Sequence, residues 1–235
     1  MRPGVQRAVD LLYPPRCPFC GQVLGPLTDC PDCAEPVRRL ELDPPRLPES
    51  EFHIGNLTRA AALYRYEGLA RGAVLRLKKG RHPDAARWLG ARMATLFGCD
   101  FAAAYGTIPP EGFPLSPADR IVPAPSSHKR SWQPARLLSQ RLSLALGVPA
   151  ADILEKLPDR DPQEGLSGAE RLRNVRGAVR VTCPEQAAGR RILLVDDVIT
   201  TGGTANEAAR MLLEAGAVTV ELVCVAAAFP GRNLQ

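Results

Sequence analysis

The stretch that most constrains the fold runs from Arg191 to Ala217. It begins with the consecutive apolar residues Ile192 to Val195, a run that is typical of a strand buried on both faces of a parallel sheet. Two carboxylates, a segment of threonines and glycines, and a run with helical spacing follow. We expect Thr204 to cap that helix and Gly216 to end it in the left-handed conformation. A second apolar run, Val218 to Val225, completes a predicted strand, loop, helix, strand unit.

The loop of this unit favours a phosphate and a polyol as ligands. Glycines let backbone N–H groups converge on one point, and a helix N-terminus adds partial positive charge there. Ionised Asp196 and Asp197 are acceptors suited to paired sugar hydroxyls or to a hydrated Mg²⁺. An ordinary strand-to-helix turn would not explain acids and hydroxyls in this order at the carboxyl end of a strand, where open α/β sheets bind ligands. The candidate phosphate-binding residues are Val198, Thr200, Thr201, Gly202, Gly203 and Thr204.

Two common phosphate-binding loops are excluded here. No Lys follows the glycines, so the loop is not a Walker A motif, and the G-x-G-x-x-G dinucleotide pattern is absent. The remaining pattern resembles the phosphoribosyl pyrophosphate (PRPP) loop of type I phosphoribosyltransferases. That resemblance implies that Asp196 and Asp197 hold ribose hydroxyls as the candidate catalytic pair, and that the Thr/Gly run cradles the 5′-phosphate.

Two C-x-x-C pairs near the N-terminus predict a metal site. Nine residues separate the pairs, and thiolates spaced in this way can close a tetrahedral Zn²⁺ site in a segment with little else to fold around. Two alternatives remain open: a redox C-x-x-C, which should open a helix, and disulfides, which a cytoplasmic setting disfavours. The predicted ligands of a structural zinc are Cys17, Cys20, Cys30 and Cys33.

Composition narrows the class of protein. The net charge of +5 comes from 26 Arg and only 4 Lys, which suits bidentate phosphate recognition but would also follow from codon usage. No block of like charges indicates a nucleic-acid arm. The chain shows neither a secretory signal nor a run of the roughly 18 apolar residues that a membrane span needs, so we predict a cytoplasmic protein without a membrane span.

The chain divides into three predicted parts. Residues 1–40 form the zinc module, residues 41–56 form a linker rich in Pro and charge, and residues 57–235 form an α/β domain. We expect a doubly wound, mainly parallel sheet with helices on both faces. Within the third part, strands are predicted at 61–68, 121–122 and 152–157, and helices at 68–81, at 83–97 and from Pro134.

A second loop is predicted to face the ligand from the diphosphate side. The loop after the strand at 121–122 would lie at the same sheet edge as the Thr/Gly loop. Lys78, at a helix end, could reach a diphosphate, although it could equally be a solvated charge that favours the helix dipole. The run His128 to Arg130 would likewise be a solvated loop without that geometry. The diphosphate-side candidates are Lys78, Pro123, Ala124, Lys129 and Arg130.

Several motifs together resemble the ComF family of phosphoribosyltransferase-like proteins, which is associated with bacterial competence and DNA uptake. They are the cysteine pairs, Y-x-Y-x-G, L-K-K-G, IVPAPSSHKRSWQ, PQEGLSGAERLRNVRGAV and LLVDDVITTGGT, which span Cys17 to Phe229. The resemblance implies PRPP with Mg²⁺ as the ligand. It also adds the motif residues Gln163, Arg171, Arg173 and Asn174. The arginines Arg171, Arg173 and Arg176 could equally form a solvated face. Where the family shows R-G-F-N-Q, this chain reads R-S-W-Q-P from Arg130 to Pro134.

Three functions follow from these patterns. The first is binding of PRPP or a related ribose 5-phosphate ligand, with phosphoribosyl transfer as the reaction if the chemistry is complete and with the role in competence or DNA uptake that the resemblance implies. The second is a non-catalytic module that retains the ribose phosphate site and binds single-stranded DNA or a helicase-like partner. The aromatic content of the chain, 5%, argues against a surface on which the bases of single-stranded DNA would stack. The third, nucleobase salvage, is disfavoured by the zinc module and by the lack of an identifiable base-recognition segment.

Overall fold

The structure is a computed structural model. It describes residues 14–25, 27, 29–80, 83–97, 118–126, 132–157 and 177–229. Lys129, Arg130 and the family motif residues between 163 and 174 lie outside these ranges. In the described part of the chain, no helix is both long and apolar enough to cross a membrane.

The elements follow each other in an alternating α/β order. In chain order they are α1 (Pro31–Arg38), β1 (Arg59–Arg65), α2 (Gly68–Lys78), α3 (Pro83–Ala94), β2 (Arg120–Pro123), α4 (Pro134–Leu146), β3 (Leu154–Lys156), β4 (Val179–Val181), β5 (Arg191–Ile199), α5 (Gly203–Glu214) and β6 (Thr219–Ala227). Short 3₁₀ turns lie at Thr95–Phe97 and Pro184–Gln186.

A parallel sheet in the order β1-β6-β5-β2 forms the centre of the fold. The predicted apolar run Ile192 to Val195 is buried throughout, as expected of a strand with neighbours on both sides and layers on both faces. β3 and β4 pair with each other in an antiparallel fashion, apart from this sheet. The expected α/β fold with a parallel central sheet is therefore confirmed.

Alternate residues of the strands divide the core into two layers. Leu193 and Val195 of β5 pack on the side of α2, α3 and α4, together with the cysteine pairs. Ile192 and Leu194 pack on the opposite side, against α5 and the β3–β4 pair. This alternation follows from the two-residue period of a strand. It confirms that helices cover both faces of the sheet.

The segment 41–56, predicted as a linker, packs closely against the rest of the protein. Leu47, Phe52 and Ile54 are buried in the layer that contains α5. The backbone N–H of Leu47 donates to the carbonyl of Ala60, and that of Leu42 donates to the carbonyl of Leu63. The segment therefore contributes to the core, while the domain boundaries at residues 40 and 56 stay a prediction.

One local expectation was wrong, and one strand is longer than its apolar run. Asp196 and Asp197 lie near the carboxyl end of β5, as expected, and the strand runs on to Ile199. Thr204 is not the cap of α5. The N-cap residue is Gly202, which has a positive φ of 84°, and the helix begins at the next residue, Gly203. The left-handed Gly216 after the helix is confirmed, with a φ of 91°.

Candidate functional site

One cavity gathers most of the residues that the sequence singles out. It has a volume of about 280 Å³ and lies at the carboxyl ends of β2 and β5. The predicted site residues among those that line it are Lys78, Ala124, Asp196, Asp197, Val198, Thr200, Thr201, Gly202, Gly203 and Thr204. Pro123 belongs instead to the end of β2, where it is paired with Val195. The two sheet-edge loops thus meet at one place, as the doubly wound arrangement requires.

The Thr/Gly loop is shaped by a close approach of two backbone segments. A Cβ atom on Gly202 would lie 2.7 Å from the carbonyl oxygen of His53 and 3.1 Å from Cγ2 of Ile54. Together with its positive φ, this makes glycine the residue that fits the position. The loop then leads directly into α5, whose first N–H groups have no partner within the helix and point toward the cavity end of the helix.

A segment far away in sequence braces this loop. The N–H of His53 donates to the carbonyl of Thr201 at 2.8 Å. The N–H of Asn56 donates to Oδ1 of Asn206 at 2.7 Å, although the two residues are 150 positions apart. Sequence reasoning missed both contacts, because no periodicity or motif links residues so widely separated.

The acid pair has an unequal electrostatic environment. Oδ1 of Asp197 lies 3.1 Å from Nζ of Lys78, and the Asp197 side chain is 11% exposed. Oδ1 of Asp196 accepts a hydrogen bond from the backbone N–H of Asp197 at 2.7 Å. Burial, reinforced by the charge of Asp197, raises the pKa of Asp196 to about 7, against the opposing effects of that hydrogen bond and of Lys78. The carboxyl of Asp196 therefore holds a proton more tightly than an ordinary Asp does, and a cation or a hydroxyl donor that stabilises the ionised form would oppose this effect.

The opposite wall of the cavity offers polar groups from the β2 loop and from β3. The hydroxyl oxygen of Ser126 is buried there and has no hydrogen-bond partner among the described residues. Lys156, at the end of β3, also lines the cavity. A buried hydroxyl without a partner is costly, and a bound anion or hydroxyl would satisfy it. Both residues were missed as site candidates, although Ser126 stands in the IVPAPSSHKRSWQ segment, which was the signal that could have found it. Lys156 stands in a predicted strand without such a signal.

The four predicted zinc ligands come together in a separate cluster. Their sulfur atoms all lie within 4.8 Å of one another, and the Sγ atoms of Cys20 and Cys30 are 3.8 Å apart. A regular tetrahedron with Zn–S bonds of about 2.3 Å has sulfur atoms about 3.8 Å apart, so the arrangement fits this ion. Burial raises the pKa of Cys33, which a bound cation would counteract. The cluster could hold a metal ion, while a disulfide or a single redox pair would bring only two of the thiols together.

The cysteine cluster is joined to the α/β layers through Phe19. Its ring makes edge-to-face contacts with Tyr64 of β1, at a centroid distance of 5.9 Å, and with Trp88 of α3, at 5.2 Å. Its carbonyl oxygen accepts a hydrogen bond from the guanidinium of Arg76 in α2. Cys30 is also the N-cap residue of α1, so the second pair opens a helix. This feature was expected of a redox pair, but here all four thiols converge.

Comparisons with known proteins identify a domain that contains the Thr/Gly loop. The family model of the phosphoribosyl transferase domain matches residues 128–232, which include the Thr/Gly loop. A solved adenine phosphoribosyltransferase aligns with 22% identity, 63% of this chain, 72% of its own chain and a TM-score of 0.38. The parallel sheet and the matched domain establish the fold.

Two curated proteins are similar in sequence to part of this chain. Competence protein F of Haemophilus influenzae is 36% identical over 110 residues, which are 44% of this chain and 48% of that protein. DNA utilization protein YhgH of Salmonella typhi is 37% identical over 119 residues, 48% of this chain and 51% of that protein. The chain spans about half the length of the curated relatives it matches. This similarity, together with the matched domain, agrees with the resemblance to the ComF family.

Proposed function

We propose that this protein binds PRPP or a related ribose 5-phosphate ligand together with Mg²⁺ in the cavity at the ends of β2 and β5. The observation that carries the proposal is the convergence of three groups: a Thr/Gly loop at a helix N-terminus, an acid pair of which Asp197 is buried, and a cation beside it. Each group matches one part of such a ligand, namely the 5′-phosphate, the ribose hydroxyls and the diphosphate.

In this proposal the residues of the chain bind and orient the ligand. Thr200 to Thr204 hold the 5′-phosphate through backbone N–H and hydroxyl groups, while Asp196 and Asp197 accept hydrogen bonds from the ribose. Lys78 and the buried hydroxyl of Ser126 face the diphosphate. Mg²⁺, whose preferred ligands are carboxylate, phosphate and water oxygens, would neutralise part of the diphosphate charge.

The same arrangement suits displacement at the anomeric carbon. An acceptor nitrogen would form the new bond as the bond from the anomeric carbon to the diphosphate oxygen breaks, and the diphosphate would leave with the bonding electrons. The contribution of the protein would be positioning and stabilisation of the departing charge by Lys78. A retained site without turnover is the competing function, and the experiment below separates the two.

We further propose a structural Zn²⁺ at the cysteine cluster and a cytoplasmic role in competence or DNA uptake. The names of the two curated relatives support that role. The competing function is a non-catalytic module that binds single-stranded DNA or a helicase-like partner, and the positive net charge of +5 is compatible with DNA binding.

The test is a melting experiment with PRPP and Mg²⁺. Binding at 100 times the dissociation constant stabilises the native state by about 2.7 kcal/mol, which corresponds to roughly 5–10 °C in a chain of this size. The double variant Asp196→Asn, Asp197→Asn should lose this shift and remain folded, because it removes charge but little volume. The matched control, Glu49→Gln with Glu51→Gln, removes two exposed carboxylates and should keep the shift.

Two outcomes of this experiment would contradict the proposal: no shift in the wild type at millimolar ligand, or a shift that survives the double variant. Release of diphosphate with a panel of nucleobases then distinguishes transfer from binding alone. Ligand-dependent stabilisation without any release would support the non-catalytic module.

A further inference from the structure

Within the described part of the chain, the ammonium group of Lys78 contacts Asp197 of the acid pair, and Lys78 is the last residue of α2. A side chain at a helix end is less well fixed than one in the middle of a helix, because the last carbonyl groups have no partner within the helix and the final turn frays. The position of Lys78 therefore depends on what fixes the C-terminus of α2.

The indole of Trp132 provides that support. Its Nε1–H donates to the carbonyl oxygen of Leu77 at 2.6 Å, so one of the terminal carbonyls of α2 is bonded to a side chain from the loop before α4. The same carbonyl also accepts the N–H of Gly80 at 3.2 Å. Both hydrogen bonds fix the residue directly before Lys78.

The ring of Trp132 also packs against the residue that ends the turn. A Cβ on Gly80 would lie 3.0 to 3.4 Å from three atoms of the indole, and Gly80 has a φ of 66°. The absence of a side chain at this position allows the indole to lie directly on the backbone. The backbone is thus held on both sides of Lys78: at Leu77 by the hydrogen bond from the indole, and at Gly80 by packing against the indole ring.

Trp132 and Lys78 line the same cavity, together with Ala124 and Ser126 of the β2 loop. The indole therefore joins two walls that come from different parts of the chain: the end of α2 and the segment between β2 and α4. Resting on the proposed function, we propose that Trp132 is a positioning residue that holds the Lys78 ammonium against Asp197 on the diphosphate side of the site. The hydrogen bond requires an indole N–H, which the Phe of the R-G-F-N-Q pattern could not supply.

The variant that isolates this role is Trp132→Phe, which keeps an aromatic ring and removes the donor. The matched control is Trp88→Phe, the same chemical change at a residue of α3 that packs on Phe19. One lost hydrogen bond should weaken PRPP binding by roughly three- to tenfold. Binding of ribose 5-phosphate, which has no diphosphate, should change by less than twofold, as should both ligands in Trp88→Phe.

A double-mutant cycle with Lys78→Met tests whether Trp132 acts through the lysine. If it does, Trp132→Phe should add less than a twofold loss of PRPP affinity in the Lys78→Met background. An additive loss, or an equal loss for PRPP and ribose 5-phosphate, would overturn the proposal and make Trp132 a general structural residue.

A ligand-independent measurement keeps this inference separate from the proposed function. In the wild type, Asp196 is surrounded by Asp197, Lys78 and the buried thiol of Cys224 on β6, and Lys156 lines the same cavity. A less well held ammonium should raise the titration midpoint of Asp196, measured by ¹³C NMR of its carboxyl carbon, in Trp132→Phe and more strongly in Lys78→Met. A midpoint that moves in Lys78→Met but not in Trp132→Phe would refute the inference even if PRPP does not bind.

Discussion

Replacement of Asp196 by Asn should stabilise the ligand-free protein at alkaline pH, although it should weaken the binding of PRPP. The pKa of this carboxyl rises from an ordinary 3.8 to about 7 because it is buried beside Asp197. The folded protein therefore binds a proton here more tightly than the unfolded chain does. Stability falls as the pH rises from about 4 to about 7, and the loss stays constant above that range.

The magnitude follows from the difference between the two pKa values. At 1.36 kcal/mol for each pH unit, it corresponds to about 4 kcal/mol as an upper bound. Asn resembles the protonated acid in shape and can still accept the hydrogen bond from the N–H of Asp197 through its Oδ1. The free energy of unfolding of Asp196→Asn should thus match that of the wild type near pH 4 and exceed it at pH 8 by up to this amount.

Urea denaturation of the ligand-free proteins at pH 4.5, 6 and 8 measures this difference, which the usual linear extrapolation converts into free energies. Glu49→Gln serves as the control, since it removes an exposed carboxylate by the same chemical change. A difference between Asp196→Asn and wild type that is independent of pH, or that becomes smaller toward pH 8, would refute the reasoning.

Three further predictions concern other parts of the molecule. Gly202→Ala should lower stability by about 2 kcal/mol or more and weaken PRPP binding, because its Cβ would meet the carbonyl of His53 in a left-handed conformation; unchanged melting would contradict this. Protein purified without chelator should contain one Zn²⁺ for each chain by elemental analysis, and Cys17→Ser with Cys30→Ser should lose it; less than half an equivalent in the wild type would argue against the zinc site. Any binding of single-stranded DNA should fall steeply between roughly 50 and 200 mM salt, as counterion release requires, so a flat dependence in a filter-binding titration would be inconsistent with electrostatic binding.

The sequence was most informative where one short segment carries both a fold signal and a chemical signal. The run from Ile192 to Thr204 combines a buried strand, an acid pair and a Thr/Gly loop. In the structure the acid pair and the loop line the cavity at the carboxyl end of β5, as expected. The cysteine pairs were equally informative, because their spacing alone restricts the geometry of four sulfur atoms. Periodicity also placed α2, α3 and α4 close to their observed bounds.

The contacts that shape the site were not predictable in the same way. His53, Asn56, Trp132 and Ser126 stand in segments without periodicity, and their roles arise from backbone geometry and from neighbours distant in sequence. The predicted N-cap residue of α5, Thr204, was wrong for a related reason. Thr is a common cap, but the approach of the His53 carbonyl selects Gly202, and that approach is a property of the tertiary structure.

The burial of Leu47, Phe52 and Ile54 bears on how the protein can be divided. A fragment that starts at residue 57 would uncover the apolar side of α5 and would remove the carbonyl that faces Gly202. A fragment that ends near residue 40 would separate the cysteine cluster from Tyr64 and Trp88, which hold its Phe19. The cysteine cluster and the α/β layers should therefore unfold in one cooperative transition, and neither should be transferable to another protein as an independent unit.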